Sequence, residues 1–378
     1  MRVGFACAWQ KSHEKTWSGT TWKLREALRR HTEVVNLDVE YSTKQTLLKH
    51  LYTRRRHGRW ASAYRWSSSR EKMIERKLHT SLRESAPVDA VVEIGDLAAF
   101  DIPFYPYKDL SFAVLENNYD PKTGAPGFKG IDLDTIKRLR ERQHKIWESA
   151  TGIFVMSEWL ADALVESSNV PRNKVTVVYA GLNSIETATG GQTELTEERS
   201  TAAKDSSVNL LFVGRDFLRK GGDIVVRALG QLRREYSSDI QLTVAGPDRW
   251  PLSGGIPDGI TFLGNCSNKE VAKLYRTHDL FVMPSRFEAF GIAFREAMAN
   301  GMPIVGRDAF AMSEIIEPGR NGALVRSDDP VELACAIVTV LEDPQVLRFA
   351  ADAAQGVRER FSWDAVAERM LAAMKHPG

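Results

Sequence analysis

The stretch Met283–Gly306, which reads MPSRFEAFGIAFREAMANGMPIVG, decides the fold of the C-terminal half of the chain. An apolar strand ends at Pro284-Ser285, and the short loop after it holds Glu288. Gly291 then opens a helix, and Glu296 lies more than a turn inside it. The first amides of a helix lack intrahelical partners and carry the positive end of its dipole. The stretch therefore predicts a strand, a turn and a helix whose N-terminus can hold phosphate or sugar oxygens.

Two carboxylates flank this predicted helix N-terminus. Glu288 and Glu296 are eight positions apart, and each carboxylate oxygen can accept hydrogen bonds from sugar hydroxyls. Glycine at position 291 permits close approach of the backbone to a ligand. These residue types suit a ligand that contains both a diphosphate and sugars.

A second turn of this kind lies earlier in the chain. A predicted strand ends at Val213-Gly214-Arg215, and Arg219-Lys220-Gly221-Gly222 leads into the next predicted helix. An arginine can bind two phosphate oxygens at once, and a lysine supplies a compact positive charge. We therefore predict a phosphate clamp at this turn.

The remaining sequence alternates between apolar strands and helices, which predicts parallel sheets covered on both faces. The strands predicted in the N-terminal half are Arg2–Ala8, Val34–Leu37, Val88–Ile94, Leu110–Leu115, Gly152–Met156 and Lys174–Val178. Those predicted in the C-terminal half are Asn209–Val213, Gln241–Ala245, Ile260–Leu263, Leu280–Met283, Pro303–Val305 and Gly322–Val325.

The predicted fold class is α/β, with two doubly wound domains that face each other across a substrate cleft. A length of 378 residues also predicts two domains. We assign residues 1–184 to an N-terminal domain, 185–207 to a linker rich in Thr, Glu, Ser and Gly, and 208–360 to a C-terminal domain. Residues 361–378 form a last helix that we expect to cross back onto the N-terminal domain, with Trp363 as its anchor.

Composition excludes several classes of protein. With 43% hydrophobic and 26% charged residues the chain is globular rather than disordered. No apolar run approaches the roughly 18–20 residues of a membrane span, and the first residues read as a strand rather than a signal peptide. We therefore predict a cytoplasmic protein. The cysteines, Cys7, Cys266 and Cys335, are too far apart for a disulfide framework or zinc-ligand spacing.

Motifs of other α/β enzymes are missing from the sequence. It contains no Gly-x-Gly-x-x-Gly turn, no Gly-x-x-x-x-Gly-Lys-Ser/Thr loop, no Gly-x-Ser-x-Gly elbow and no His-Glu-x-x-His helix. The sequence therefore lacks the most specific motifs of dehydrogenases, P-loop enzymes, α/β-hydrolases and zinc proteases.

A net charge of +2 conceals a basic, aromatic segment at residues 44–83, where Glu71 and Glu75 are the only acids. Such a segment attracts an anionic acceptor or an anionic membrane surface, or it is a solvated helix–loop–helix. Nucleic acid is the partner that we exclude, because no nucleic-acid-binding motif accompanies the segment. Its cations are Lys44, Lys49, Arg54, Arg55, Arg56, Arg59, Arg65, Arg70, Lys72, Arg76, Lys77 and Arg83, and its aromatic residues include Trp60, Tyr64 and Trp66.

Residues 150–375 resemble the nucleotide-sugar domain of the retaining glycosyltransferases of family 4, which have the two-domain GT-B fold. The resemblance lies in the two turns described above, in Glu288 and Glu296, and in several further segments. These segments are Val244-Ala245-Gly246, Phe262-Leu263-Gly264, Asn300–Val305, Glu314-Ile315-Ile316, Asn321-Gly322 and Phe361-Ser362-Trp363.

The resemblance implies roles for individual residues. Arg215 and Lys220 would neutralise the diphosphate of the donor as the glycosidic bond breaks. Glu288 would bind hydroxyls of the donor sugar, and Glu296 would bind the ribose. The other donor-binding positions are Gly19, Gly214, Gly246, Phe290, Gly291 and Ile292.

The implied activity is that of a retaining, hexosyltransferase-type enzyme. It would move a sugar from a UDP- or GDP-sugar to a hydroxyl of a glycan, a lipid-linked acceptor or a small molecule. It would need no metal or other cofactor, because arginine and lysine replace the metal. The alternatives are an epimerase or phosphorylase on the same fold, and a sugar-nucleotide-binding protein without catalysis.

The N-terminal half departs from the family pattern on the acceptor side. Many members carry a His-Asp pair near the reacting sugar, whereas this chain has the segment Val114–Asp120, which contains no histidine. Glu116, Asp120 and His13 are the candidates for acceptor-side residues. Asp132-Leu133-Asp134 has the Asp-x-Asp form of metal–nucleotide sites, but it precedes a helix, and we interpret Asp132 as an N-cap. If segment 44–83 contacts a membrane, the protein would lie at the inner membrane face.

Overall fold

The computed structural model describes residues 1–10, 12–39, 53–56, 59–128, 130–184 and 207–376. It divides the chain into two compact units. Unit 1 comprises Met1–Gly181 together with Ser362–Gly378, and unit 2 comprises Leu182–Phe361. The predicted linker at 185–207 lies outside the described residues except for Ser207.

Unit 1 contains a six-stranded parallel sheet in the order β2-β1-β5-β6-β7-β8 and a separate antiparallel hairpin, β3-β4. Its strands are β1 (Arg2–Ala8), β2 (Glu33–Val39), β3 (Thr53–Arg56), β4 (Arg59–Ser62), β5 (Ala90–Ile94), β6 (Phe104–Lys108), β7 (Ile153–Val155) and β8 (Val175–Val177). Its helices up to β8 are α1 (Thr20–His31), α2 (Ser68–Glu84), α3 (Phe112–Asn117), α4 (Leu133–Ser149) and α5 (Glu158–Ser168).

The core of unit 1 follows from the apolar runs of its central strands. Every residue of β5 and β6 is buried, because helices cover both faces of a parallel sheet. Helix α4 buries one stripe, which includes Ile136, Ile146 and Trp147, and it begins at Asp132, whose side chain accepts a hydrogen bond from the Thr135 amide at 2.9 Å. The interpretation of Asp132 as an N-cap is confirmed.

The strand predicted at Leu110–Leu115 is wrong. Residues from Phe112 onward form helix α3, because the Ser111 hydroxyl accepts a hydrogen bond from the Val114 amide at 3.1 Å and caps the helix. The strand of this region is β6, which carries Pro106 in its middle. Proline removes a ladder donor and is unusual in an interior strand, so the sequence pattern conceals β6.

Only part of the basic segment 44–83 is described, since residues 44–52, 57 and 58 lie outside the described ranges. The described part contains the hairpin β3-β4, a short 3-10 helix at Ala63–Trp66 and helix α2. This differs from the helix–loop–helix that we considered.

Unit 2 contains a six-stranded parallel sheet in the order β11-β10-β9-β12-β13-β14. Counted within the unit, this is the order 3-2-1-4-5-6 of a doubly wound sheet, with its switch point between β9 and β12. The strands are β9 (Asn209–Val213), β10 (Gln241–Ala245), β11 (Ile260–Gly264), β12 (Leu280–Val282), β13 (Ile304–Arg307) and β14 (Gly322–Val325). The helices are α6 (Gly222–Glu235), α7 (Asn268–Thr277), α8 (Ile292–Ala299), α9 (Met312–Ile315), α10 (Pro330–Glu342) and α11 (Pro344–Arg360).

The last helix, α12 (Trp363–Lys375), belongs to unit 1, where it packs against α1. The ring of Trp363 lies directly over Gly181, and a Cβ atom at position 181 would overlap the indole. Asp364 at the start of the helix contacts Arg30 and His31 of α1 at 2.8 and 3.0 Å. These contacts tie the chain end to the first helix.

Candidate functional site

The candidate site of unit 2 lies where β9 and β12 end, at the switch point of the sheet. Ligands of doubly wound sheets bind outside the carboxyl ends of the strands at this point, because the connecting helices leave in opposite directions there. Gly214 follows β9, and Glu288 lies in the loop after β12. The topology therefore brings both sequence-predicted turns to one edge of the sheet.

Lys220 and Glu288 form an ion pair at this edge. The Lys220 Nζ atom donates a hydrogen bond to Glu288 Oε2 at 2.9 Å and lies 3.5 Å from Met283 Sδ. The two side chains are only 15% and 13% exposed, so the pair is weakly screened by water. The structure thus joins two residues that are 68 positions apart in the chain.

The position of the Lys220 side chain requires a glycine at residue 214. The Lys220 side chain lies across this residue, and a Cβ atom at 214 would overlap its Cδ atom. Gly246 adds a second close approach, because a Cβ there would lie 2.7 Å from the Gly214 carbonyl carbon and 2.9 Å from the Arg215 amide nitrogen. Arg215, next to this bare stretch of backbone, has an exposed side chain.

The charge of Glu288 is fixed by its surroundings. Burial alone would raise the pKa of this carboxyl. The charges of Lys220 and Arg219, with hydrogen bonds from Lys220 and from the Gly291 amide, outweigh burial and hold the pKa below its ordinary value. The amide lies 3.3 Å from Glu288 Oε1. The carboxylate is therefore ionised at neutral pH and held at both oxygens.

Helix α8 begins beside this carboxylate. Gly291 is its N-cap with φ 72°, a left-handed conformation, and no side chain caps the helix. A Cβ atom at 291 would also lie 2.7 Å from Ile315 Cδ1. Glycine is therefore needed here for its backbone angle and for space, and Ile292 is the first helical residue. The helix therefore begins directly after Gly291, as the sequence predicts.

Arg219 connects the two turns. Its place beside Lys220 in the sequence indicates a charged turn but does not indicate which residues Arg219 contacts. Its guanidinium donates to the Phe287 carbonyl and lies 3.0 Å from Asp216 Oδ2. Its own carbonyl accepts the Arg286 amide at 2.8 Å. We predicted Arg219 as part of a phosphate clamp, whereas the structure shows it bonded to the loop that carries Glu288.

Glu296 and Phe290 are buried. One oxygen of Glu296 accepts hydrogen bonds from the amides of Asn183 and Ser184, at 3.0 and 2.9 Å. Phe290 packs under the guanidinium of Arg295, 4.2 Å from its ring centre. Contact of Glu296 with ribose and of Phe290 with the donor remain predictions.

Residues 194–360 match the family described as "Glycosyl transferases group 1". The similarity to group 1 glycosyltransferases thus lies in the C-terminal half of the chain. The match contains both turns of the site, the Lys220–Glu288 pair and helix α8.

Curated relatives extend the match. The chain is 27% identical over 254 residues to an uncharacterised glycosyltransferase of Methanocaldococcus jannaschii, covering 65% of each chain. It is 31% identical over 229 residues to a D-inositol 3-phosphate glycosyltransferase of Stackebrandtia nassauensis, covering 56% of this chain and 51% of the relative. It is 35% identical over 169 residues to a phosphatidyl-myo-inositol mannosyltransferase of Mycobacterium leprae, covering 43% and 45%. The chain thus spans less than two thirds of the length of these relatives.

Solved structures show the fold. Sucrose-phosphate synthase of Thermosynechococcus elongatus matches with a TM-score of 0.67 at 18% identity, over 99% of this chain and 98% of the other. HepE of Anabaena, solved with UDP-glucose, matches with a TM-score of 0.63 at 17% identity, over 99% of both chains. The predicted GT-B fold is confirmed.

The acceptor-side candidates lie in unit 1, outside the residues that match the family. Glu116 on α3 pairs with Arg140 of α4 at 2.8 Å, so it joins two helices. Asp120 accepts hydrogen bonds from the amides of Lys122 and Thr123 at 2.7 Å, and these bonds lower its pKa. The structure gives both carboxylates structural partners, and their acceptor role remains a prediction.

The first loop carries the other two N-terminal candidates. The His13 ring stacks on Trp9 with ring centres 4.6 Å apart, and the segment His13–Gly19 is a 3-10 helix. Gly19 has φ 92° and caps α1, a backbone angle that favours glycine. The loop is thus well anchored, and its contact with phosphate remains a prediction.

Sequence reasoning missed a buried polar cluster in unit 1. Asp96, which follows β5, accepts hydrogen bonds from Lys108, from Gln143 at 2.6 Å and from Trp147 at 2.8 Å. Asp96 and Lys108 are 5% and 9% exposed. The sequence feature that could have indicated these two residues is a charge at the end of an apolar strand or just after it.

The described residues contain no group of three or more His, Cys, Asp or Glu side chains that could hold a metal ion. Within the same residues, no helix combines the length and the apolar character needed to cross a bilayer.

Proposed function

We propose that this chain transfers a sugar from a nucleoside diphosphate sugar to a hydroxyl of an acceptor, with retention at the anomeric carbon. One observation carries the proposal: the Lys220–Glu288 pair lies at the switch point of a group 1 glycosyltransferase domain, beside the N-terminus of α8. A cation, a carboxylate and a helix N-terminus in one turn match the three chemical parts of such a donor.

The cation serves the leaving group. Negative charge grows on the diphosphate as the glycosidic bond breaks, and a positioned cation stabilises that charge more than it stabilises the ground state. The Lys220 ammonium has three N–H donors, so it can keep Glu288 and still bind a phosphate oxygen. Arg215, with its exposed side chain, supplies a second cation at the same turn.

The carboxylate serves the sugar. Glu288 is ionised, nearly buried and held by Lys220 and the Gly291 amide. An ionised carboxylate has several acceptor positions, so it can also accept hydrogen bonds from sugar hydroxyls. Held on both oxygens, Glu288 would position the anomeric carbon without a large loss of side-chain entropy.

The names of related proteins suggest the chemical classes of donor and acceptor. HepE was solved with UDP and with UDP-glucose, and two relatives are named for glycosyl transfer to inositol phosphates or mannosyl transfer to an inositol lipid. We therefore propose a UDP- or GDP-hexose donor. The acceptor would be a hydroxyl of a small polyol, a glycan or a lipid-linked molecule.

The first experiment is a thermal-unfolding panel of nucleotides and nucleotide sugars, because a ligand of the folded state raises the unfolding temperature. Transfer is then followed by NMR, which reads the anomeric configuration of the product. A glycoside with the donor's configuration supports the proposal, and an inverted product excludes retention. A free epimer or a sugar phosphate would favour the epimerase or phosphorylase, and binding without turnover would favour a sensor.

Metal independence is also part of the proposal. Because Lys220 and Arg215 would stabilise the leaving diphosphate, we expect the transfer rate to stay the same after dialysis against EDTA. The control is the same assay with added Mg²⁺. A rate that falls with EDTA and returns with Mg²⁺ would show that a metal takes part.

Location is a further part of the proposal. We propose a cytoplasmic protein that contacts the inner membrane face through segment 44–83. Sedimentation with anionic vesicles tests this contact, and absence of binding at low ionic strength would remove it.

A further inference from the structure

Unit 1 contains a small pocket at the carboxyl end of β5. It is lined by the backbone of Gly95 and Leu97, by the aromatic side chains of Trp66 and Phe112, and by several charged residues. All strands of this sheet are parallel, and the strand order extends from β1 to β2 on one side and to β5 on the other. The pocket therefore lies next to the switch point of the sheet. This is the place where a doubly wound sheet binds ligands.

More cations than acids line the pocket. The charged lining residues are Arg65, Arg70, Arg142, Glu71 and Asp96. Each acid is paired with a cation from outside the lining. Glu71 is held by Arg138 through two hydrogen bonds, of 2.7 and 2.9 Å, and Asp96 is held by Lys108. Arg142 also lies 3.8 Å from Glu71, and Arg70 donates a hydrogen bond to the Arg65 carbonyl at 3.2 Å. The lining as a whole carries more positive than negative charge.

The floor of the pocket is rigid. Arg142 donates to the carbonyls of Asp96 and Leu97, at 2.5 and 2.7 Å, so it fixes the turn after β5. Asp96 has φ 56°, an unusual backbone angle for a residue other than glycine. Three side-chain donors hold its carboxylate in place. Such a preorganised floor loses little entropy when a ligand binds.

The walls are aromatic, and they lower the local dielectric constant. The rings of Trp66 and Phe112 meet edge to face with centres 6.3 Å apart, and the guanidinium of Arg65 lies over Trp66 at 4.9 Å. Guanidinium groups beside apolar walls bind oxyanions more strongly than groups in open water. The pocket volume is about 60 Å³, which suits a small group such as a phosphate.

We propose that this pocket binds a phosphate group of the acceptor. The inference rests on the proposed function, because it takes the bound group to be part of the molecule that receives the sugar. The basic segment 44–83 then has a specific task, since Arg65, Trp66 and Arg70 all belong to it. The phosphate can belong to a soluble phosphorylated polyol or to a lipid headgroup, and the experiment separates these sources.

The test measures the dissociation constant of inorganic phosphate for the full chain. It is done in a Lys220→Ala background, which weakens phosphate binding at the turn of unit 2. Adding Arg70→Gln or Arg65→Gln should weaken phosphate binding by about tenfold, since each removes one charge-assisted contact. Arg83→Gln, on the same helix but outside the pocket, is the matched control and should leave the constant unchanged.

Two results would contradict the proposal that this pocket binds phosphate. One is a phosphate affinity equal in all these variants, and the other is loss of phosphate binding with Lys220→Ala alone. Arg65 is exposed, so its variant remains informative if Arg70→Gln does not fold. Circular dichroism shows which variants are folded.

Two further arms identify the source of the phosphate. One titrates glycerol 3-phosphate, and the other sediments the protein with phosphatidylcholine vesicles with and without phosphatidylinositol. Sensitivity to Arg70→Gln in the first arm alone indicates a soluble acceptor, and sensitivity in the vesicle arm indicates a lipid. A third outcome is that vesicles bind equally well to the native chain and to both arginine variants, while phosphate does not bind. In that case the segment contacts a membrane surface, and the proposal of a phosphate pocket is wrong.

The proposed function is tested separately by UDP binding. UDP should bind the Arg70→Gln chain as it binds the native chain, because the donor turns lie in unit 2. If UDP binds and phosphate does not, only the pocket fails. If phosphate binds in a manner that depends on Arg70 but no nucleotide sugar binds, the proposed function fails and an anion site remains.

Discussion

The carboxyl edges of the two sheets carry an ammonium and a carboxylate in different settings. At the edge of unit 1, Asp96 and Lys108 are buried, and the carboxylate has two further donors from α4. At the edge of unit 2, Lys220 and Glu288 lie beside bare glycine backbone and a helix N-terminus. The two sheets share most of their strand order. We therefore infer that the surroundings of a charge pair, rather than the topology, distinguish the structural pair of unit 1 from the candidate site of unit 2.

The largest effect should come from breaking the pair of unit 1. Lys108→Met leaves a buried carboxylate without its cation, so we expect the free energy of unfolding to fall by about 3–5 kcal/mol. Denaturant titration measures this loss. The exposed Lys122→Met is the control, and UDP affinity at a temperature where both variants are folded should not change. If Lys108→Met leaves the free energy of unfolding unchanged, the two pairs do not differ as we describe.

Breaking the pair of unit 2 should affect the rate instead. We expect Lys220→Ala to lower kcat about 10²–10³-fold, the usual cost of removing one group that stabilises transition-state charge. Steady-state kinetics measures this loss, with Arg234→Ala on the exposed face of α6 as the control. Full activity of Lys220→Ala would remove this residue from the chemistry.

A smaller effect should follow from moving Lys220 without removing it. In Gly214→Ala the new Cβ atom would overlap the lysine side chain, so the ammonium must shift. We expect donor affinity to fall on the order of tenfold. In Gly230→Ala, within α6, the new atom lies 3.5 Å from Arg234. That control should raise stability by about 0.5–1 kcal/mol and leave donor affinity unchanged.

The smallest effect concerns pH. Because the pKa of Glu288 is lower when folded than when unfolded, its stabilising contribution is present above the ordinary glutamate pKa. The contribution is lost as pH falls through the folded value. In Lys220→Met, burial acts without the lysine charge, so the pKa of Glu288 rises and the acid loss of stability begins at higher pH. Unfolding temperatures of the native chain and the variant across a pH series test this prediction. It is contradicted if both chains lose stability at the same acidic pH.

Much of unit 2 could be predicted from sequence, because its strands are short apolar runs bounded by turn residues. Strand β9 has the predicted bounds, and so do β10 and β14. Local patterns also indicated the two turns that carry Lys220 and Glu288. They did not show that Lys220 and Glu288 touch, since this contact depends on the order of β9 and β12 in the sheet.

Unit 1 was harder to predict for physical reasons. An apolar run such as Leu110–Leu115 suits a buried strand or a buried helix, and here the cap at Ser111 decides. The cluster around Asp96 joins residues up to 51 positions apart, and no local pattern carries that distance. The pocket of unit 1 likewise depends on contacts such as that of Glu71 with Arg138, which are 67 positions apart in the sequence.

The position of α12 has a consequence for how the protein is made. Unit 1 begins at the first residue but contains the helix Trp363–Lys375, which packs against α1 and covers Gly181. A ribosome therefore releases the last piece of the first unit only after the whole of the second unit has been synthesised. Until then, the site for Trp363 exposes apolar surface, and a stop codon just after Phe361 would damage the unit that was translated first.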